Sequence, residues 1–141
     1  MIHLRSPFDR SVADTMHWGR FIDKIRLHQL GELPKEYSEV LGHKLGVDGT
    51  FLKHFGLTIE QVTKSVAGKS DPELALWIER VVENFPAKSD SWNDLAPDLG
   101  KEGTAMHRAF KFAIKRYFPD GDAPAAAETC FGLIEFDEGR A

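Results

Sequence analysis

The sequence has a single cysteine, Cys130, among its 141 residues, so no disulfide can form within one chain. Long apolar runs are also missing: the longest, Leu74 to Ile78, has five residues, whereas a membrane-spanning helix needs about 20. The first residues reach Asp9 and Arg10 before any apolar stretch develops, which is not typical of a secretory signal. These absences predict a soluble, cytoplasmic protein that does not enter a membrane.

Motifs for metal binding and catalysis are equally scarce. No two of the six histidines lie three to five residues apart, and the pair Glu39 and His43 supplies at most half of a zinc site. The sequence has no Gly-rich phosphate loop and no Gly-x-Ser-x-Gly elbow. Cys130 is most simply a small core residue. We therefore expect no metal, no cofactor and no assignable catalytic residue.

Positive charge is lacking overall, since the net charge of −4 gives no general attraction to nucleic acid or anionic lipid. One predicted helix nevertheless carries Arg108, Lys111 and Lys115 on one face, with Phe112 among them. This face either binds an anionic partner or nucleic acid, or is covered and neutralised by the acidic segment 119–141. We expect the second arrangement, and we do not expect a nucleic-acid partner.

Apolar residues recur at helical spacing, and no pair of alternating strands joined by a hairpin signal occurs. Trp18, Phe21, Ile22 and Ile25 form one stripe, so the first helix is predicted from about residue 11 or 14 to residue 30. Capping boxes, Thr-x-x-Gln and Ser-x-x-Glu, predict helices over 59–67 and 71–84. Leu76 lies opposite the apolar stripe of the second of these, which predicts a central helix covered on two sides.

The remaining segments carry weaker signals. Asp48 is predicted to cap a short helix that ends at Gly56, and a longer helix is expected over 104–118. Residues 87–103 resemble a loop, and residues 124–136 fit either a helix or an irregular segment. The sequence thus predicts an all-α protein, a single compact domain of about five or six helices spanning residues 1–141.

Several strings occur in a recognisable order. They are Phe21-Ile22-Asp23-Lys24-Ile25-Arg26-Leu27-His28, then Gly31, Leu33-Pro34, Tyr37, Leu76-Trp77, Trp92-Asn93 and finally Asp137-Glu138-Gly139-Arg140. In this order and spacing the chain resembles the bacterial family catalogued as domain of unknown function 5069. The resemblance covers nearly the whole chain. It implies a shared fold and no particular activity.

The string from Asp23 to His28 is one of the two most specific parts of that resemblance. On a helical wheel Arg26 and His28 lie about 160° apart, so they cannot form a catalytic dyad by themselves. Either each meets partners from elsewhere in the fold, or Arg26 bridges loop carbonyls, for which its several donors suit it. Asp23 lies three residues before Arg26 and is expected to pair with it.

The other specific part is the C-terminal string. The apolar residues between Cys130 and Phe136 are predicted to pack onto the body of the domain rather than remain in water. Asp137 or Arg140 would then join Arg26, His28 or Tyr37 in one polar cluster, which makes these five residues the candidates for binding a ligand or partner.

Two functions remain open at this point. The first is a non-catalytic binding or interaction module for an unknown small molecule or protein. The alternative is a small enzyme whose polar site is assembled around Arg26, His28 and Tyr37. A pocket where these three side chains converge would favour the enzyme.

Overall fold

The computed structural model describes residues 2–140. Within these residues the chain forms eight α-helices, two short 3₁₀ helices and no β-strand, which confirms the all-α class with more helices than the five or six predicted. No helix in the described part is both long and apolar enough to cross a membrane. The helices are α1 (Trp18–Gln29), α2 (Lys35–Ser38), α3 (Val47–Phe55), α4 (Ile59–Val66), α5 (Asp71–Val81), α6 (Phe85–Leu95), α7 (His107–Tyr117) and α8 (Cys130–Asp137), with 3₁₀ helices at Ala96–Asp98 and Ala125–Glu128.

Both predicted capping boxes are present. Thr58 accepts a hydrogen bond from the amide of Gln61, and the Gln61 side chain accepts one from the amide of Thr58. Ser70 and Glu73 repeat this exchange at the start of α5. Each box satisfies two amides that have no partner inside the helix, so the sequence locates these two helix starts correctly.

The first helix begins later than predicted, at Trp18. The preceding residues are held by other parts of the chain: the amide of Met16 donates to Asn93, and its carbonyl accepts from the Trp92 indole. The amide of His17 donates to the carbonyl of Pro7, and the His17 backbone is left-handed, with φ 74°. These long-range hydrogen bonds, which no local pattern reveals, replace the helical ones.

A further helix, α6, occupies most of the segment predicted as a loop. The preceding helix ends at Val81, before the predicted residue 84, and Pro86 lies in the first turn of α6, a position where its missing N–H costs nothing. Phe85, Ser89 and Trp92 form the buried face of this helix. A serine stands in the middle of that buried face, so the face has too few apolar residues to show the helical spacing from which a helix is predicted.

Aromatic rings fill the centre of the domain where α1, α3 and α6 meet. Phe51 lies at the middle, with ring centroids 4.6 Å from Trp18, 5.1 Å from Phe55 and 5.2 Å from Trp92. Edge-to-face pairs at such separations stabilise a core beyond their burial alone. Leu76 is 66% exposed, so α5 is buried on one side and the prediction of a two-sided helix is wrong.

The C-terminal segment packs onto the body, as predicted. Phe131 is fully buried, and the amide of Cys130 donates to the carbonyl of Leu99 at 2.8 Å. The segment forms a 3₁₀ helix followed by α8, which resolves the choice between helix and irregular structure.

The same segment does not cover the basic face of α7. Phe112 is 66% exposed, and within residues 2–140 neither Arg108, Lys111 nor Lys115 forms an ion pair. The expected neutralisation is therefore wrong. Acidic residues of the C-terminal segment bind cations elsewhere: Glu135 of α8 pairs with Arg140, and Glu138, directly after α8, pairs with Arg20 of α1.

Candidate functional site

Three basic side chains at the start of α1 lie inside the protein. His17, Arg20 and Lys24 are only 1%, 3% and 5% exposed. They follow the spacing i, i+3, i+7, which places them on one side of the helix, beside the apolar stripe. Charged side chains are almost never fully buried unless they are paired, so each requires partners from other elements.

Asp48 of α3 supplies the partner for two of them. Its Oδ1 accepts hydrogen bonds from His17 Nε2 at 2.7 Å and Lys24 Nζ at 2.8 Å, and its Oδ2 accepts from Lys24 Nζ at 2.7 Å and the Gly42 amide at 3.0 Å. The N-cap of α3 is Gly46, so the prediction that Asp48 caps this helix is wrong. Its carboxylate is instead fully hydrogen-bonded in the interior.

Burial and neighbouring charges shift the pKa values of Asp48 and Lys24 in opposite directions. Burial by itself would raise the pKa of the Asp48 carboxyl, but Lys24 and His17 hold that pKa well below its usual range. Burial lowers the pKa of the Lys24 ammonium, while the negative charge of Asp48 opposes the change. The arrangement is a paired, desolvated lysine and carboxylate, with His17 as a second donor to the carboxylate.

His17 is held with one ring nitrogen occupied and the other without a partner. Because Nε2 donates to Asp48, the neutral ring has its lone pair on Nδ1, and Nδ1 is buried with no hydrogen-bond partner. Burial lowers the pKa of His17 to about 4, although Asp48 favours the protonated form. A left-handed backbone at a residue other than glycine costs roughly 1–3 kcal/mol and is concentrated at functional sites.

Arg20 belongs to a second polar network, centred on Glu138 of the C-terminal segment. Its Nη1 and Nη2 donate to the two oxygens of Glu138 at 2.8 and 2.6 Å, and Tyr37 and Arg140 donate to the same carboxylate at 3.0 and 2.7 Å. Burial alone would raise the pKa of Glu138, but these donors lower it to about 2. The Nε of Arg20 is buried and has no partner.

His17, Arg20, Lys24 and Asp48 form the polar floor of a pocket of about 360 Å³, which we call the His17 pocket. That volume is at the small end of the range for ligand pockets, roughly 300–1,000 Å³. Two of the three buried nitrogens without a partner in residues 2–140, His17 Nδ1 and Arg20 Nε, belong to lining residues, but both atoms are fully buried and neither is open to the pocket. The walls are mainly apolar and come from the α2–α3 region, α7 and α8; they include Val40, Leu45, Val47, Met106, Phe110, Leu133 and Ile134.

Three of the five predicted site residues lie together in a neighbouring cleft. Tyr37, Asp137 and Arg140 line a cleft of about 500 Å³, the Glu138 cleft, which also includes Leu4 and Glu138 itself. Tyr37 lines both the cleft and the His17 pocket. The expected joining of the C-terminal string with Tyr37 is therefore present, through Glu138.

Arg26 and His28, the other two predicted residues, lie elsewhere. Arg26 forms an ion pair with Asp71 at 2.8 Å and donates to the carbonyl of Lys69 at 3.1 Å, which is the bridging role considered from the sequence. His28 is exposed. Asp23 binds Arg5 rather than Arg26, so the expected local pair is wrong. Within residues 2–140 no hydrogen bond or ion pair joins Arg26 to Tyr37.

Metal and thiol chemistry find little support in the described residues. Residues 2–140 contain no group of three or more His, Cys, Asp or Glu side chains that could hold a metal ion. Cys130 lines the His17 pocket, but burial raises the pKa of its thiol to about 12. At neutral pH it is therefore protonated, and the thiolate is the reactive form of cysteine.

Reasoning from the sequence missed the residues that form the pocket floor. His17, Arg20 and Lys24 carried one usable signal, their spacing along one side of a helix next to an apolar stripe. Asp48 had been predicted as a helix cap and Glu138 belonged to the C-terminal string, but no local pattern connected either with these basic residues, because each contacts them only through the tertiary fold. A pattern of basic residues at core-facing positions is the observation that would have directed attention to this site.

The chain belongs to the family described as Domain of unknown function (DUF5069), whose family model matches residues 2–140. This confirms the resemblance found in the sequence. No curated protein and no solved structure matches the chain.

Proposed function

We propose that this protein is a non-catalytic binding module that takes a small, largely apolar molecule with one polar head group into the His17 pocket. The observation that carries the proposal is the pocket itself, about 360 Å³ in volume, in which the buried polar side chains of His17, Arg20 and Lys24 stand among mainly apolar walls. Small-molecule sites are built in this way, from apolar walls and a few placed polar groups.

The rest of the pocket supports binding over catalysis. The Asp48 carboxylate already accepts four hydrogen bonds, and Glu138 accepts from Arg20, Tyr37 and Arg140. Carboxylates committed in this way position other groups and do not transfer protons readily. We also propose a cytoplasmic location, which the buried, unpaired Cys130 fits.

The test uses two sets of small probes that differ only in the head group. One set is benzoate, benzamide, benzyl alcohol and benzylamine; the other is hexanoate, hexanamide, hexanol and hexylamine. We expect members of at least one set to bind, and to shift the backbone amide signals of lining residues such as Asp48, Phe110 and Leu133 in NMR titrations.

A matched pair of variants makes this test specific. Ala113 lines the pocket and is exposed, so Ala113→Phe should obstruct the pocket without disturbing the core. The same substitution at Ala105, also exposed but outside the pocket, should leave binding unchanged. If no probe binds, or if both variants bind alike, the proposal is wrong.

A catalytic alternative has one observation in its favour. Nε2 of His17 is oriented by Asp48, as the base of a catalytic site is oriented by a third group, so a movement that opens Nδ1 to the pocket would make it a general base toward a bound molecule. Steady conversion of a bound probe or natural ligand, abolished in His17→Asn, would establish it. An enzyme site formed by Arg26, His28 and Tyr37 stays a prediction, and it would need these separated side chains to act independently.

A further inference from the structure

We propose that the exposed side of α7 is a docking surface for a short acidic helix of another protein. This surface, which we call the α7 basic face, consists of Arg108, Lys111, Phe112, Lys115 and Arg116. It is separate from the His17 pocket, which other residues of α7 line.

The cations of the α7 basic face have no carboxylate partner within the protein. α7 has four positive charges in 11 residues and no acidic residue. All four side chains are exposed, and within residues 2–140 none of them forms an ion pair. Phe112 lies among them and is 66% exposed. The face therefore offers both positive charge and an aromatic ring to a partner.

This charge pattern is unfavourable for a helix face that contacts only water. Lys111 lies three residues after Arg108 and four residues before Lys115, and like charges at these spacings destabilise a helix. Arg108 also lies in the first turn of α7, where the helix dipole disfavours a cation. Solvated helix faces more often combine charges of both signs. Carboxylates of a partner would remove these repulsions, so the pattern favours an anionic partner.

An anionic membrane does not fit this helix. A helix that lies on a membrane inserts its apolar side among the lipid head groups. The apolar side of α7 is already occupied, because Phe110 is buried and Ile114 packs against the core. Its exposed side presents a single phenylalanine surrounded by cations.

A long polyanion such as nucleic acid also fits poorly. The whole chain has a net charge of −4 and α7 has four positive charges, so the rest of the chain carries −8. A helix of 11 residues is about 16 Å long. A nucleic acid would extend beyond it and meet the negative remainder of the protein. A short acidic segment would contact the four cations and avoid this repulsion.

The geometry of the face favours a helical partner. Arg108, Lys111, Phe112 and Lys115 follow the spacing i, i+3, i+4, i+7, which places them in one strip along two turns. With His107 they line an open groove of about 380 Å³. Arg116 lies over the Phe112 ring, with its Cζ 6.0 Å from the ring centroid. A partner helix laid along this strip would pair carboxylates at the same spacing with the cations and cover Phe112 with an apolar side chain.

The test on the unmodified protein is a selection from a displayed library of alanine-based helical peptides of about 15 residues, in which the positions of one face are randomised. Enriched peptides should carry glutamate or aspartate at i, i+3 or i+4, and i+7, beside one large apolar residue. Fluorescence anisotropy then gives their dissociation constants. Raising the salt from about 50 mM to about 500 mM should weaken binding at least about tenfold, because exposed charges are screened.

Three variants make the assignment specific. Lys111→Glu should weaken the selected peptides at least about tenfold, and Phe112→Ala at least about fivefold, since aromatic residues dominate such interfaces. The matched control is Lys64→Glu, the same charge change at an exposed lysine of α4, which should bind within about twofold of the wild type. All three substitutions are at exposed positions, so each variant should melt within about 3 °C of the wild type.

Three kinds of result would overturn the proposal. The first is a selection that yields no peptides, or peptides that lack acidic residues or bind Lys111→Glu as well as the wild type. The second is binding of vesicles of phosphatidylcholine and phosphatidylserine in equal parts, or of a single-stranded oligothymidylate, more tightly than the selected peptides and with the same dependence on Lys111. The third is self-association in sedimentation experiments that Lys111→Glu abolishes, which would assign the face to a second copy of this chain.

Discussion

Replacing Asp48 by asparagine should destabilise the protein severely, because the side chain keeps its size and loses the charge that Lys24 and His17 both contact. The Lys24 and Asp48 side chains are 6% and 2% exposed, so water cannot replace the lost partner. Removing one member of a buried ion pair costs about 3–5 kcal/mol. With about 2.1 cal/mol/K of unfolding entropy per residue over 141 residues, Tm should fall by roughly 10–17 °C.

Thermal unfolding followed by circular dichroism at neutral pH measures this change, with urea titration as a second determination. The matched control is Asp98→Asn, which breaks an exposed pair with Lys101 whose side chains are 58% and 52% exposed. Exposed pairs contribute about 0–1 kcal/mol, so the control should melt within about 3 °C of the wild type. If Asp48→Asn melts no lower than Asp98→Asn, the buried ion pair does not stabilise the fold as argued.

Three further predictions concern pH, the C-terminal segment and nucleic acid. Burial lowers the pKa of His17 from its ordinary 6.5 to about 4, so the unfolded chain binds a proton that the folded one does not. The free energy of unfolding should therefore fall by about 1.4 kcal/mol per pH unit as the pH falls from about 6.5 to about 4. Urea titrations at successive pH values measure this slope. The variant His17→Asn should remove it. Deleting residues 124–141 exposes the cavity left by Phe131 and leaves Arg20 without its carboxylate partner. Tm should therefore fall by more than about 10 °C, or soluble expression should fail. A truncated protein that melts like the full-length one would contradict the docked arrangement of this segment. A shift assay near physiological salt should show no complex with duplex DNA, given the net charge of −4, and a submicromolar complex lost on Lys111→Glu would contradict this.

Features of the fold that depend on close neighbours in the sequence were predictable. The two capping boxes involve residues three apart, and Gly56, in a left-handed conformation with φ 69°, ends α3 where expected. In each case the residues that take part in the interaction lie within a few positions of one another in the sequence. Patterns of local sequence therefore contain the whole interaction.

Other boundaries depend on contacts between distant residues. The helix was predicted to begin at residue 11 or 14, yet Trp92 and Asn93 of α6 bind the backbone at Asp14 and Met16 instead. The sequence separation in these hydrogen bonds is 76 to 79 residues. A helix start that depends on contacts with α6 cannot be predicted without knowing that α6 exists. The sequence does not predict α6 either, because the buried face of that helix is small and partly polar.

The candidate site was missed for a related reason. The string from Asp23 to His28 suggests one site because its polar residues are consecutive, but Lys24 binds Asp48 in the interior. Asp23 and Arg26 meet instead in an ion-pair network with Arg5 and Asp71, away from the His17 pocket. Consecutive residues on a helix are separated by about 100°, so a string of polar residues spreads over several contacts. The residues that do share a site, His17, Arg20 and Lys24, lie three and four apart at the start of α1 and within it. They become recognisable only when Asp48 of α3 and Glu138, directly after α8, bring carboxylates to them. A search of related sequences for basic residues at core-facing helical spacing, combined with acidic residues on other elements, would therefore locate such a site better than a search for continuous motifs.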